Sequence, residues 1–419
     1  MKKIILSAAV AAMALSTSAF AADKGIDIVT SGQAVVYYNS AANNNQDLLS
    51  ASEGNTRANF GVQLNLDADL KNGFTFGSQI NYLGTLGLEK NLVGATMQNT
   101  NGGINTDNIA DDIYLSKIFI AKKMGNTTVK LGRQELPKSL APFSFSESWN
   151  VFKNTFEAAV VINTDIPDTT LVGAYVSGSN GNGFGNNMSS FNDLSVVANT
   201  EGGPVTAAIS GTAYMLTAVN KSVPMATITA TYYDVNKVDG NNGAAIVWAD
   251  AAIASKDLPM GLKVGLQGGT ILLDESSMGD DTTAFGAKAS IKPLKELTVC
   301  AAYTSVDDGT VHVKNSGGAK TPLYTQMIAN QGAIQSDNDT IMLKGVYNAG
   351  DYGKVILQGT NSQDNTSTGR NLTDIELVYK TKVVGMNVLA AYINQSWSEK
   401  NADGIDKQDI VRVVARYNF

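Results

Sequence analysis

The sequence predicts an all-β fold, a transmembrane antiparallel β-barrel of about 18 strands, and three observations carry that expectation. The first is the last ten residues, Ile410 to Phe419, which read I-V-R-V-V-A-R-Y-N-F. Successive side chains of a strand point to opposite sides. One face therefore carries Val411, Val413, Ala415, Tyr417 and Phe419, and the other Ile410, Arg412, Val414, Arg416 and Asn418. The second is that the same alternation recurs along the chain. The third is the spacing of those segments, whose connections are by turns short and long.

Taken in order, residues 1–21 read as a secretory signal. Lys2 and Lys3 supply the charged start, Ile4 to Leu15 the apolar stretch, and Ala19-Phe20-Ala21 the small-x-small cleavage box. The apolar stretch falls short of the roughly 20 residues that cross a bilayer as a helix. Cleavage after Ala21 leaves a barrel domain over 22–419, beyond the inner membrane.

A first strand is expected at 31–38 and the clearest one at 55–70. There Ala58, Phe60, Val62, Leu64, Leu66, Ala68 and Leu70 form an apolar face, and Asn59, Gly61, Gln63, Asn65, Asp67 and Asp69 a polar one. That strand is longer than a globular one needs and suits a tilted crossing that projects beyond the membrane. Asn72-Gly73 accepts positive φ and turns the chain tightly into a strand at 74–86. The unit then repeats as paired strands at 112–123 with 127–136, 155–164 with 169–178, 211–219 with 225–235, and 243–255 with 261–273. It continues at 282–291 with 297–306, 339–348 with 353–360, 371–380 with 386–397, and closes at 408–419.

Short turns fall at Gly125-Asn126, Pro167-Asp168, Pro293-Leu294 and Ala349-Gly350-Asp351, and long polar connections at 87–111, 137–154, 179–210 and 307–338. That asymmetry is the one between periplasmic turns and extracellular loops. With both ends on the periplasmic side the strand count is even. Residues 192–200 and 204–210 are taken as an ordered part of a loop, which gives 18 strands; taken as wall they give 20. A ring of 18 is too wide to fill with side chains and leaves an aqueous channel, while closure satisfies every backbone polar group in hydrocarbon.

Composition agrees. The chain has 40 glycines, 15 tyrosines and 8 prolines, as many strands with polar turns require. Its mean hydropathy is close to zero, because lipid-facing and lumen-facing residues cancel. Tyr37, Tyr82, Tyr175, Tyr303, Tyr392 and Tyr417, near strand ends, are expected in the interfacial girdles. The formal charge is −7; without Lys2 and Lys3 the basic residues number 29 against 38 acidic, or −9. No basic run invites nucleic acid.

A single cysteine, Cys300, allows no internal disulfide, and the single histidine, His312, sits in a Gly/Lys-rich stretch that reads as a mobile loop. Neither builds a metal site by itself, and no cofactor is expected. The acidic pairs Asp111-Asp112, Asp280-Asp281 and Asp307-Asp308 are the places where a loop could hold a divalent cation. An enzyme would need an activated nucleophile or water with a base, and His312 is a poor candidate. No enzyme activity is expected.

If the apolar face of each strand meets lipid, the other lines the lumen. Arg57, Lys130, Lys344, Arg412 and Arg416 then face the pore, with Lys263, Lys288 and Lys354, against Asp67, Asp69, Asp250, Asp374 and Glu376. Arg57, Arg412 and Arg416 form a basic ladder across the closure. The connection 137–154 carries Lys138, Glu147 and Lys153 among Phe143, Phe145, Trp149 and Phe152. It is too apolar for a solvated loop and is expected to fold inward as a constriction. Strict alternation aims Arg133 at lipid, so a bulge or an early exit from the membrane is expected beside it.

Lys130-Leu131-Gly132-Arg133-Gln134, then Asn154-Thr155-Phe156-Glu157-Ala158 and the Asp165-Ile166-Pro167-Asp168-Thr169 turn, carry a family resemblance. The chain resembles the porins of Campylobacter and related bacteria, the major-outer-membrane-protein type, distantly similar to Pseudomonas-type specific porins. The resemblance implies an 18-stranded barrel in the bacterial outer membrane, commonly a homotrimer, passing ions and small hydrophilic solutes by passive diffusion. It places Arg133 and its neighbours as wall residues near the constriction. It also implies contact with outer-membrane lipid and lipopolysaccharide, and a closing strand (410–419, with Tyr417 and Phe419) read by the barrel-assembly machinery. The alternative is a surface-exposed structural or adhesive barrel, which long Asn/Ser/Gly loops also suit.

Overall fold

The structure, a computed structural model, describes residues 26–49, 55–85, 112–148, 150–180, 191–197, 207–237, 243–274, 279–366 and 369–419. The expected signal (1–21, with its cleavage at Ala21), the loop 87–111, Trp149 and much of 179–210 lie outside the described residues.

Nineteen strands form one antiparallel sheet. They are β1 (Asp27–Asn43), β2 (Asn55–Lys71), β3 (Phe74–Thr85), β4 (Asp112–Met124), β5 (Thr127–Gln134) and β6 (Phe156–Asn163). Next come β7 (Thr169–Ser179), β8 (Leu194–Val197), β9 (Ala207–Asn220), β10 (Ala226–Lys237), β11 (Ala244–Ala254), β12 (Lys263–Leu273) and β13 (Thr282–Ile291). The last six are β14 (Leu297–Val306), β15 (Asn338–Asn348), β16 (Lys354–Asp364), β17 (Leu372–Val383), β18 (Met386–Trp397) and β19 (Lys407–Asn418).

The sheet closes on itself, because β1 pairs with both β2 and β19. Its register with β19 runs from Gln33↔Asn418 to Asn43↔Gln408. Phe419 extends the seam by exchanging backbone hydrogen bonds with Gly32, at 2.8 and 3.0 Å. A Cβ on Gly32 would meet the Phe419 ring at 2.6 Å and the Gln63 carbonyl at 2.5 Å, so the terminal aromatic occupies the space a side chain at position 32 would need.

The wall counts 18 strands, as the parity argument requires. Strand β7 pairs with the lower part of β9, from Thr169↔Asn220 to Val176↔Ala213, and β8 with its upper part, from Leu194↔Gly211 to Val197↔Ala207. The short β8 therefore prolongs the line of β7, and the 20-strand alternative does not hold. At the first hairpin Asn72 and Gly73 both take positive φ, 53° and 77°. This is the turn geometry that matches the strand twist.

Outward positions are apolar and exposed, as with Leu216, Val247, Leu343, Leu357 and Ile375. Tyr175, Tyr303, Tyr392 and Tyr417 are exposed on that side, and Tyr82 meets Phe60 edge-on with centroids 6.5 Å apart. Tyr37 departs from the girdle expectation. It points inward and is buried with Val35, Leu83, Tyr114 and Val414.

The inward face departs further from simple alternation. From β6 to β14 the inward residues include Val160, Val176, Met215, Tyr233, Trp248, Ile271 and Val306, all in one buried apolar cluster. Alternation fails there because two loops cover the wall from inside and keep it dry. The wall is also uneven in height: β1 and β2 have 17 residues each, β5 and β6 only 8.

Candidate functional site

The first inward loop leaves β5 at a distorted point. Gly132 has φ 116°, and a Cβ there would meet the Ile118 carbonyl at 2.3 Å. The pairing shifts on both sides, leaving Ser116 of β4 and Ser177 of β7 as extra residues. Such bulges bend a strand and re-aim its side chains.

Residues 135–148 and 150–155 then cross the interior. Phe143 packs edge-on against Tyr233 and Trp248, with centroids 6.0 and 5.3 Å away. At the far side Val151 and Phe152 sit over Gly61, where a Cβ would lie 2.6 Å from the Phe152 ring. Arg416 holds that end, donating to the carbonyl of Val151 at 2.7 Å, to that of Asn150, and to Gln33 Oε1 at 3.1 Å.

A second loop, 307–337, also lies inside. Glu376 of β17 accepts the Ile328 and Ala329 N–H groups at 2.7 and 3.0 Å and a further hydrogen bond from Gln358. Thr325 meets Thr304 at 2.6 Å, and Gln395 donates to the Ala329 carbonyl at 3.2 Å. The two loops are joined through Glu147, 3% exposed. Its carboxylate accepts Asn315 Nδ2 at 2.7 Å and the Lys320 N–H at 2.9 Å. Asn154 Nδ2 donates to the Gly317 carbonyl at 2.7 Å, and Ser316 N–H to that of Phe143 at 2.8 Å.

What remains open lies between these loops and the wall of β15–β19 and β1–β5. One cavity of about 780 Å³ is bordered by Lys354, Lys380, Lys382, Arg412, Arg416 and Asp351 among others. A second, of about 490 Å³, is bordered by Gln63, Asp67, Lys117, Lys130, Glu135 and Lys153. Ser148 and Arg416 border both, so the two meet beneath the first loop.

Solved structures share this architecture. Pseudomonas aeruginosa OccK8 (OprE) superposes with a TM-score of 0.73 at 15% identity, over 94% of this chain and 98% of that one. Acinetobacter baumannii OccAB3 gives 0.75 at 13%, over 94% and 99%. Pseudomonas aeruginosa OpdK, solved with vanillate, gives 0.70 at 13%, over 94% and 98%. The fold is that of the Occ-type porin barrels. No protein-family model and no curated protein sequence matches the chain.

Within this barrel the residues singled out from sequence separate into three groups. Arg57, Asn39 and Arg412 form a row across β2, β1 and β19, and Arg412 Nε donates to Asn39 Oδ1 at 2.9 Å. Arg416, Lys130 and Lys344 also point inward, and Lys130 lies over the Phe119 ring at 3.7 Å. Lys153 faces the smaller cavity and pairs with Glu135 at 2.7 Å.

Glu147 is buried between the loops, whereas Lys138 stays exposed beside the second loop. Lys138 Nζ donates to the Thr321 carbonyl at 3.3 Å, and desolvation lowers its pKa to about 8. Arg133, which the resemblance places near the constriction, faces outward and does not border the channel. It pairs with Glu157 directly across the strand pair at 2.8 Å and sits 4.1 Å from the Phe191 ring. The outward aim that alternation gives it is retained, and the Glu157 carboxylate offsets its charge.

Sequence reasoning missed Lys117, Glu135, Lys380 and Lys382. Lys117 turns inward only because the Ser116 bulge shifts the parity, which no periodic pattern announces. Burial works against the Glu135 carboxylate, but Lys117 and Lys153 outweigh it and hold its pKa below the usual value. Lys380 and Lys382 lie in the last turnward residues of β17, at and beyond the expected strand end.

The loop 307–337 carries no motif and was expected as an outer loop. Its inward fold is a correction, and His312 is half-buried within it rather than mobile. Burial, then Lys314, lowers the His312 pKa to about 4, so it is neutral at ordinary pH. In the acidic pairs, Asp281 accepts the Leu273 N–H and Asp307 the Thr283 N–H, both at 2.8 Å.

Proposed function

We propose that the chain is an outer-membrane porin, a water-filled channel for passive diffusion of ions and small hydrophilic solutes, with anions favoured. The observation that carries this reading is the joined pair of cavities. Eight basic side chains border them (Lys117, Lys130, Lys153, Lys354, Lys380, Lys382, Arg412 and Arg416) against three acidic ones, Asp67, Glu135 and Asp351. In a narrow passage walled by protein each such charge weighs more than in bulk water. The chain as a whole is acidic, so the basic lining is a local arrangement.

The neighbours support a channel: they are OccK, OccAB and Opd proteins of the same barrel type. One of them, OpdK, was solved with vanillate, a small carboxylate. In this reading residues 1–21 export the chain, the apolar outer face meets outer-membrane lipid and lipopolysaccharide, and Tyr417 and Phe419 present the closing strand to the assembly machinery. Three copies assemble as a homotrimer. The narrower kinship with the Campylobacter-type porins rests on the motifs around Lys130–Gln134.

Single-channel conductance of purified, refolded protein in a planar bilayer tests the reading, with the reversal potential under a salt gradient. Discrete steps that scale with salt, and a reversal sign set by anions, are expected. A folded barrel that passes no current overturns it.

A further inference from the structure

We infer that the turn end of the lumen holds a binding subsite for a multiply charged oxyanion, a phosphorylated or polycarboxylated solute, formed by Lys354, Lys380 and Lys382, with Lys344 within electrostatic reach. The inference deepens the channel reading and rests on it. Lys354 opens β16, and its direct antiparallel partner on β17 is Lys380. Both point into the larger cavity, as does Lys382 two residues further along the same face. Lys344 of β15 is within electrostatic reach of Lys380, as is Lys354. Two neighbouring strands thus bring three ammonium groups to the cavity, and Lys344 of a third strand adds its field from further along the wall.

Like charges directly opposite each other destabilise a sheet, so such a cluster needs a compensating partner. Among the described residues no carboxylate lies within 4.0 Å of any of the four. The other lumen cations differ, since protein groups already engage them. Lys117 and Lys153 share Glu135, Arg412 donates to Asn39, and Arg416 is spent on the loop carbonyls. Lys130 lies over an aromatic ring.

The uncommitted charge is therefore concentrated below the loops, where the cavity has about 780 Å³ of room. Adjacent strands lie about 4.8 Å apart. A monovalent anion compensates one ammonium, whereas an ion with two or more charged oxygens bridges two or three. Ammonium groups on flexible stems are point-charge donors suited to phosphate. Asp351 on the neighbouring turn is the acidic residue at this cavity; it faces any anion that leaves by that rim and so favours release.

The test is current block of the full-length refolded channel in potassium chloride, with inorganic pyrophosphate, citrate and acetate as probes. Pyrophosphate is expected to interrupt the current at about one tenth of the acetate concentration. The Lys354→Gln/Lys380→Gln pair is expected to raise its half-blocking concentration about tenfold, a loss of about 1.4 kcal/mol. The Lys354→Arg/Lys380→Arg pair should restore most of it.

Block by pyrophosphate and not citrate assigns the site to phosphate groups; equal block by both assigns it to charge alone. Should the double variant not insert, Lys380→Gln by itself should give a smaller shift in the same direction. An open channel whose pyrophosphate block is absent, or unchanged in these variants, overturns the subsite and leaves the porin reading standing. A channel that never conducts overturns both.

Discussion

Arg416 is a lumen charge and also the clamp that holds the far end of the first loop. It donates to two loop carbonyls and to Gln33. Hydrogen bonds from a charged donor are worth about 1.5–3 kcal/mol each, so its loss frees the loop tip as well as removing charge. Arg416→Ala should raise unitary conductance and lower the anion preference together. Arg416→Lys keeps the charge without the forked donor geometry; it should change conductance while leaving the reversal potential nearly as it was. Equal reversal potentials in the wild type and Arg416→Ala would count against a role in selectivity.

Two loop lysines give a pH dependence. Desolvation lowers both Lys138 and Lys320 to about 8, against about 10.4 for a free lysine. Each is charged below about 8 and neutral above it. Between the two values the unfolded chain binds more protons, so the docked loops become more stable as pH rises through that window. The lumen meanwhile loses positive charge. The anion preference should fall between pH 7 and pH 9, and a Lys138→Gln/Lys320→Gln variant should show a flatter profile in the same reversal-potential measurement.

Among elements, the seam and the loop landing each depend on a glycine whose space another residue fills. Gly32→Val would drive a branched side chain into the Gln63 carbonyl and the Phe419 ring. The folded fraction, measured by heat-modifiable gel mobility, should drop sharply. Gly61→Leu meets the tip of the Phe152 side chain and Val151 instead of the wall backbone. It should leave the barrel folded, displace the loop and change conductance. A Gly61→Leu channel identical to wild type would mean that the loop does not rest there.

The 18 wall strands were legible from their outward apolar faces, regular in β2, β15 and β17 and interrupted only locally in β4 to β7. The inner face was legible only where it is wet. In β6, Val160 points inward and Val161 outward, so the alternation that marks a half-wet strand disappears. The bulge at Ser116 hid Lys117 for a related reason: parity carries no record of an inserted residue.

At the scale of the molecule, the two inward loops make the channel eccentric. They dock chiefly on β6–β14, reach β17 and β18 through Ile328 and Ala329, and touch β2 and β19 at the tip of the first loop. The passage is left along β15–β19 and β1–β5. The first loop could be read from its concentration of Phe143, Phe145 and Phe152. The second could not, since Val311, Val313, Leu323, Met327 and Ile334 are scattered among polar residues and acquire meaning only against the wall. Replacing 316–333 by a short Gly/Ser link should widen the passage and raise conductance about twofold. It should also lower thermal stability, because each uncovered large apolar side chain forfeits about 1.5–3 kcal/mol of burial. A variant as heat-stable as the wild type would show that the inner apolar wall tolerates water.

The closure has a mechanical side. Strands β1 and β19 are hydrogen-bonded neighbours, with Phe419 paired to Gly32, so both ends of the chain load the same junction. Force applied to either end peels an outermost strand lengthwise, one backbone pair at a time, instead of shearing many pairs at once. The ring that has no edge at rest acquires one as soon as it is pulled. It should then unravel hairpin after hairpin from that junction, leaving the distant strands under the docked loops until last.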